Sequence, residues 1–382
     1  MAANRITELF LQEGQSAWQD DISRDMLNKG EIAREIKETG IRGLTSNPTI
    51  FEKAIAAGHA YDDSVAQLVA QGLEDAEIFE SVAVADIQAA CDLFRELYDA
   101  SNGGDGFVSI EVSPLGARDA ERTAADARRL WQSVNRPNLM VKIPGTVEGS
   151  PVVQQMLDEG ININITLLFS VAAYERVARA YIAALSARQA RGESIDRIAS
   201  VASFFVSRVD ALVDKQLDAL IAGTTDEAKQ VELAALKGKA AIANAKLAYK
   251  AFQDIFSGSE WESLAAAGAK VQRPLWASTS VKNPAYPDTL YVDELIGPDT
   301  VNTMPRPTVI AFLDHGTVAR TIDTGVKEAA ETMAALEAAG IDFQAVTDQL
   351  EDEGIAAFIK SFESLLSGVA SKRAELAAAP AD

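Results

Sequence analysis

Apolar and polar positions along the chain switch repeatedly between short runs of period two and longer runs of period 3.6. Strands and helices laid end to end in a parallel α/β fold give this pattern. Eight short runs read as strands: QSAWQD (15–20), IRGLTSN (41–47), GFVSIEV (106–112), NLMVKI (138–143), GININIT (160–166), IASVASFF (198–205), VQRPLWAS (271–278) and DTVNTM (299–304). Amphipathic helical patterns such as DAERTAADARRLWQSV and VSRVDALVDKQLDALI run between them. Eight is the number an α/β barrel needs, and barrels of this length, 382 residues, fold as one unit. No Pro/Gly/Ser linker separates two halves. The expectation is therefore a TIM barrel with extra helices, a single domain over 1–382. Two connections, about 50–105 and about 206–270, are oversized and carry two helical patterns each, and about 343–375 reads as a C-terminal helix packed outside the barrel.

Alternation within the strands points to a site, because one face of a barrel strand meets the helices and the other meets the interior. Val108, Ile110 and Val112 share a face opposite Ser109 and Glu111. Leu139, Val141 and Ile143 oppose Met140 and Lys142, while Ile161, Ile163 and Ile165 oppose Asn162, Asn164 and Thr166. With the apolar faces under the helices, Glu111, Lys142, Asn164 and Thr166 point inward near the C-terminal strand ends, where barrel active sites lie. A single lysine there would ordinarily snorkel to solvent. Four inward polar residues on adjacent strands are a different matter, since each costs about 1–3 kcal/mol when buried unpaired. In the first strand the face of Asp20 carries Trp18 and that of Asp21 carries Gln19, so periodicity leaves open which carboxylate faces in.

Charge narrows the partners. A formal charge of −21 repels nucleic acid and anionic membrane, so neither is expected as a partner, and a phosphate-bearing ligand would need a local cluster of Lys or Arg. The N-terminal MAANRITELFLQEG lacks the basic start and apolar core of a signal peptide, and no run of about 18 apolar residues occurs. A cytoplasmic protein is expected. The lone Cys91, in QAACDLFREL, excludes an intramolecular disulfide and reads as an inert buried residue.

An inward lysine beside a carboxylate and hydroxyl or amide groups suggests imine chemistry. The neutral amine attacks a ketone, and the protonated imine then withdraws electrons so that a neighbouring carbon–carbon bond breaks. Zinc-dependent aldol cleavage would need several imidazoles, and the chain offers only His59 and His315, both in polar surface contexts. Neither G-x-G-x-x-G nor G-x-x-x-x-G-K-[ST] is present. No metal and no cofactor is expected.

Six ordered segments carry a resemblance: GLTSNPTIF (43–51), SIEVSP (109–114), NLMVKIPGT (138–146), NINITLLFS (162–170), SVASFFVSRVD (200–210) and RPLWASTSVKNPAYPDTLYVDELIGPDTVNTMP (273–305). Together they resemble transaldolase, the metal-free, imine-forming enzyme of the pentose phosphate pathway. The resemblance implies a (β/α)8 barrel that moves a dihydroxyacetone unit from fructose 6-phosphate or sedoheptulose 7-phosphate to an aldose phosphate. By the same resemblance Lys142 corresponds to the Schiff-base lysine, Asp20 to the acid/base at the sugar hydroxyl, and Glu111 with Thr166 to the pair that manages the catalytic water. Asn47 and Asn164 would bind the dihydroxyacetone hydroxyls with Ser203 nearby, and Phe205 would shape the pocket. Arg208 and Ser278 match phosphate-binding positions. The better-known subfamilies carry an arginine two residues after that serine; here Ser280 stands there, and Lys282 is expected to supply the charge. The 277–295 segment resembles the actinobacterial-type branch. Two further readings stay open: a lyase releasing free dihydroxyacetone, as in fructose-6-phosphate aldolase-like barrels, and a non-catalytic scaffold, against which an intact Lys142, Glu111 and Asp20 argue.

Overall fold

A computed structural model describes residues 4–56 and 58–378; the first three residues of the N-terminal segment and the last four of the chain lie outside it. Seven parallel strands, β1 (Gln15–Gln19), β2 (Val108–Glu111), β3 (Leu139–Pro144), β4 (Ile163–Leu168), β5 (Ser200–Phe205), β6 (Arg273–Ala277) and β7 (Thr300–Met304), pair in the order β1-β7-β6-β5-β4-β3-β2. The expected strand at 41–47 forms no ladder of its own. Only Leu44 bridges, to Gln19 on one side and Val108 on the other. Backbone hydrogen bonds nevertheless run along both flanks: Arg42 N–H to Ala17 O (2.8 Å) and Thr45 N–H to Gln19 O (2.9 Å), then Leu44 N–H to Phe107 O (2.9 Å) and Ser109 N–H to Leu44 O (3.0 Å). This short stave closes the barrel. Its brevity has a local cause, since Gly40 sits at φ +91°, a Cβ on Gly43 would lie 2.5 Å from the Trp18 ring, and Pro48 opens a helix, Pro48–Ala56.

Register brings the polar residues level. Glu111 pairs with Lys142 and Lys142 with Asn164 on three adjacent staves. In β4 the register shifts between Ile165 and Leu168, and Leu167 takes φ +61°, a bulge that ends the regular alternation just past Thr166. Trp18 is fully buried, and its indole N–H donates to Asp105 Oδ1 (2.9 Å). Asp105 also accepts from Arg42 (2.7 Å) and Arg273 (3.3 Å), forming an ionic floor at the N-terminal end of the barrel. Burial works against the Asp105 charge, but Arg273 and Arg42 hold its carboxyl below the usual range. The face of β1 that carries Trp18 is therefore the interior face, and Asp20 follows it one step nearer the mouth.

The oversized connections hold more helices than their patterns suggested. The first carries Pro48–Ala56, Asp62–Ala70 and Asp75–Ala100; the second carries Ser207–Gly223, Glu227–Ala234, Ala240–Ile255 and Ser259–Ala266. The C-terminal helix, Phe343–Ala378, lies outside the staves and runs over their C-terminal mouth. It buries Val346, Leu350, Gly354, Phe358, Phe362, Leu365 and Val369, a stripe at spacings of three and four. Polar ties fix its course: Thr49 to Ser361 (2.8 Å) and Arg373 to Asp75 (3.1 Å). Among the described residues no helix is long and apolar enough to cross a membrane.

Candidate active site

A cavity of about 350 Å³ opens at the C-terminal strand ends beneath the C-terminal helix. Of the residues singled out in the sequence, Asp20, Asn47, Lys142, Thr166, Ser203, Phe205, Arg208, Ser278 and Lys282 line it. Glu111 and Asn164 do not line it but bond two residues that do, Lys142 and Ser203.

The inner end is an acid–base cluster. The Lys142 ammonium donates to Ser46 O (3.2 Å) and Glu111 Oε2 (3.4 Å), with the two side chains 7% and 4% exposed. Ion pairs this buried are expensive to desolvate, and stability alone is a poor reason to keep one. Burial raises the Glu111 carboxyl above the usual range; the Lys142 charge and hydrogen bond offset only part of this, and the Asp20 charge adds to it. Asp20 is likewise raised by burial, with Lys142 and the 2.6 Å hydrogen bond from Thr45 Oγ1 pulling the other way. Thr45 also bonds Thr303 (2.7 Å), which fixes the hydroxyl that Asp20 accepts from. Asp21 does not line the cavity; burial and then the Asp20 charge raise it.

Asn164, fully buried, donates its amide to Ser109 Oγ (3.0 Å) and accepts from Ser203 Oγ (2.7 Å). Staves β2, β4 and β5 are thereby tied together, the first bond reaching past β3, and the side of Ser203 is presented to the cavity. Thr166 Oγ1 is buried with no hydrogen-bond partner among the described residues, a donor and acceptor on the wall near Lys142.

The outer end is cationic. Arg208, second residue of the helix Ser207–Gly223, lies with its guanidinium 5.2 Å from the Phe205 ring centre, and burial works against its charge. Ser278 holds a left-handed φ of +56°, and its hydroxyl meets Ser207 Oγ at 2.9 Å, which locks the loop after β6 to the start of that helix. Lys282 reaches back to Ser280 Oγ (2.6 Å); burial lowers its ammonium, and repulsion from Arg208 and Lys53 lowers it further. The lysine thus faces the cavity from the loop where the arginine is missing.

Sequence reasoning missed several wall residues, of which Thr45, Thr49, Lys53 and Phe358 bear most on the site. Thr45 was within reach of strand parity, since it shares the face of Gly43 and Asn47. The other three come from helices, and periodicity names a helix face without naming what that face meets. The residues set aside stay apart from the cavity. His59 pairs with Asp62 (2.7 Å) and His315 with Asp288 (2.8 Å), both exposed, and burial pushes the Cys91 thiol up. Among the described residues no group of three His, Cys, Asp or Glu is arranged to hold a metal ion.

The sequence profile of the family described as transaldolase/fructose-6-phosphate aldolase matches residues 17–369. The chain belongs to the transaldolase/fructose-6-phosphate aldolase family. Relatives match over nearly their whole length. A Nostoc sp. protein named transaldolase 2 is 49% identical over 97% of this chain and 98% of its own, and a Thermobifida fusca transaldolase is 49% identical over 94% and 96%. A Trichodesmium erythraeum transaldolase is 48% identical over 97% and 98%. The family's description carries two activities, whereas these relatives carry one name, transaldolase. The cavity thus divides into an end where Lys142 meets two carboxyls and a cationic end around Arg208, joined by the hydroxyls and amides of Asn47, Ser203 and Thr166.

Proposed function

We propose that the chain catalyses the transaldolase reaction, carrying a dihydroxyacetone unit on Lys142 from a ketose phosphate, fructose 6-phosphate or sedoheptulose 7-phosphate, to an aldose phosphate, erythrose 4-phosphate or glyceraldehyde 3-phosphate. The observation that carries this reading is a buried lysine 3.4 Å from a buried carboxylate at the mouth of the barrel, in a cavity whose far end is cationic.

Lysine attacks as the neutral amine, and Glu111 is within reach of its proton. The amine adds to the ketone C2; Glu111, whose raised pKa favours the protonated form, returns a proton so that water leaves and the protonated imine forms. The Thr166 hydroxyl holds that water. Asp20 then takes the proton from the C4 hydroxyl as the C3–C4 bond breaks, and the bond's electrons move into the imine to give an enamine. Asn47 and Asn164, with Ser203, hold the hydroxyls of the three-carbon unit. The aldose phosphate departs, the acceptor aldehyde is attacked by the enamine, Asp20 gives the proton back to the new hydroxyl, and water, activated by Glu111, adds to the resulting imine at C2 so that the C2–N bond breaks and the new ketose phosphate leaves with Lys142 freed. Arg208, Ser278 and Lys282 hold the phosphate of the donor and then that of the acceptor, against a wall shaped by Phe205. The whole chain, 1–382, acts as one catalytic domain in the cytoplasm, where its charged substrates are confined.

Borohydride reduction in the presence of fructose 6-phosphate, followed by peptide mass mapping, tests the reading. The adduct should fall on Lys142 and vanish in Lys142→Ala; an adduct on another lysine would overturn it. Turnover of fructose 6-phosphate should require erythrose 4-phosphate. Release of free dihydroxyacetone at the same rate without acceptor would instead mark a lyase.

A further inference from the structure

We propose that Lys53 is a third phosphate-binding cation of the active site, acting with Arg208 and Lys282 and setting the preference for phosphorylated sugars. This rests on the catalytic reading above.

Lys53 belongs to the helix Pro48–Ala56, which starts immediately after Asn47. Thr49, Ile50 and Lys53, at spacings of one, three and four, form the helix face that lines the catalytic cavity. The Lys53 and Lys282 side chains are exposed on the rim, whereas Arg208 stands deeper. The three cations arrive from separate elements: the helix after the closing stave, the helix after β5, and the loop after β6.

Their electrostatic state is unbalanced. Among the described residues none of the three forms an ion pair with a carboxylate; Lys282 meets only the Ser280 hydroxyl, and Glu353 and Asp21 act on Arg208 and Lys53 at longer range. Mutual repulsion within the group is felt at Lys282, which Arg208 and Lys53 both disfavour in its charged form. A chain with 56 acidic and 35 basic residues has ample carboxylates to neutralise such a cluster, and places none against it. An anion neutralises it instead. A phosphate monoester carries about −1.5 to −2 charges near neutral pH, more than one cation balances. Arg208 and Lys282 supply two, and Lys53 completes the ring from the facing side of the mouth. The position answers the substitution at Ser280, because the charge absent from the loop after β6 is divided between a lysine two residues on and a lysine on another helix.

Being exposed, Lys53 should act on capture more than on chemistry, and its contribution should be screened by salt. Lys53→Ala should raise KM for fructose 6-phosphate and for erythrose 4-phosphate by about 5–10-fold with kcat little changed, and should weaken inhibition by inorganic phosphate by a similar factor. The KM for unphosphorylated fructose should not move, and Lys53→Arg should restore the phosphate-dependent values. The salt dependence of KM between low and high ionic strength should become shallower in Lys53→Ala. Borohydride trapping of dihydroxyacetone on Lys142, run alongside, separates the two claims. If Lys53→Ala leaves KM and phosphate inhibition unchanged while trapping is intact, the role of Lys53 is refuted and the catalytic reading stands. If fructose and fructose 6-phosphate suffer equally, Lys53 is structural and the proposal fails. If the wild type traps nothing on Lys142, the catalytic reading itself fails.

Discussion

Replacing Asp210 with asparagine should flatten the dependence of stability on pH between about pH 4 and pH 7. Asp210 lies two residues beyond Arg208 on the same helix and is 1% exposed. Burial pushes its carboxyl up to about 6 from an ordinary 3.8; the Ala241 N–H (2.8 Å) and Tyr291 hydroxyl (2.7 Å) counter part of this, and the Asp214 charge adds to it. Two units at 1.36 kcal/mol each make about 3 kcal/mol. The sign follows from which state holds the proton more tightly. Here the folded state does, so the group favours folding fully below about pH 4, and that advantage is lost as the pH climbs through about 6. Roughly 1 kcal/mol of the loss falls between pH 5 and pH 7, where the unfolded chain is already ionised at this position. Asparagine keeps an acceptor for Ala241 N–H and has nothing to titrate. Urea unfolding of wild type and Asp210→Asn, followed by tryptophan fluorescence at pH 5 and pH 7, reads the difference directly. Wild type should lose about 1 kcal/mol relative to the variant over that interval. Parallel pH profiles, or a wild type that gains on the variant, would refute the burial argument.

Asp20→Asn should still form the borohydride-trappable imine but lose turnover by about 100-fold or more, the effect of removing a general base, whereas Asp21→Asn should keep turnover within a few-fold. If Asp21→Asn is the crippled enzyme, the assignment of the interior face of β1 is wrong. Arg208→Ala should raise KM for phosphorylated sugars by about 30-fold, the worth of a charge-assisted contact of about 2 kcal/mol, and Lys282→Ala should do the same more weakly; a silent Lys282→Ala would remove it from the phosphate site. Gly43→Ala should destabilise the barrel by about 1–3 kcal/mol, because the new methyl meets the Trp18 ring, and calorimetry showing no loss would mean that the closing stave is free to shift. Exhaustive EDTA treatment should leave turnover unchanged, since the described residues offer no metal cluster; loss reversed by zinc would contradict the imine mechanism.

What was legible in the sequence depended on where polarity tracks geometry. Along β2, β3 and β4 the outward faces are uniformly apolar, so Glu111, Lys142, Asn164 and Thr166 could be assigned to the interior by parity alone. Along β1 the rule fails, because the interior there is ionic. Trp18 is an inward apolar residue whose indole N–H is satisfied by Asp105, and Asp105 lies far from it in the chain. No local pattern announces that partner. The closing stave was recognised as a strand although it makes only bridges, since the same glycine that lets it approach Trp18 also limits its pairing. The helical connections were undercounted because breaks such as the one at Gly238, with φ +70°, are shorter than the window in which periodicity is read. Arg208 and Ser278 came from resemblance, and Lys53 and Phe358 came only from tertiary placement, as side chains on helices must.

The division of charge within the cavity bears on selectivity in a way that no single residue does. At the inner end Asp20 and Glu111 flank one lysine; at the outer end Arg208, Lys282 and Lys53 form no ion pair with a carboxylate among the described residues. A ketose phosphate is itself polarised, with an uncharged carbonyl end and a doubly charged phosphate end. Entering phosphate-outward, it meets compensating charge at one end and places its uncharged carbonyl beside Lys142 at the other. Entering reversed, it would press its phosphate against two buried carboxyls that burial already disfavours as anions, and like-charge contacts of that kind cost several kcal/mol. Orientation is thus decided before any hydroxyl is read, and only the productive orientation puts C2 beside Lys142. The same gradient explains why the acids at the inner end can keep raised proton affinities in a working site. In the proposed reaction the cations would hold the substrate's charge at the far end, so that the proton transfers at Glu111 and Asp20 would proceed in surroundings that the phosphate does not perturb.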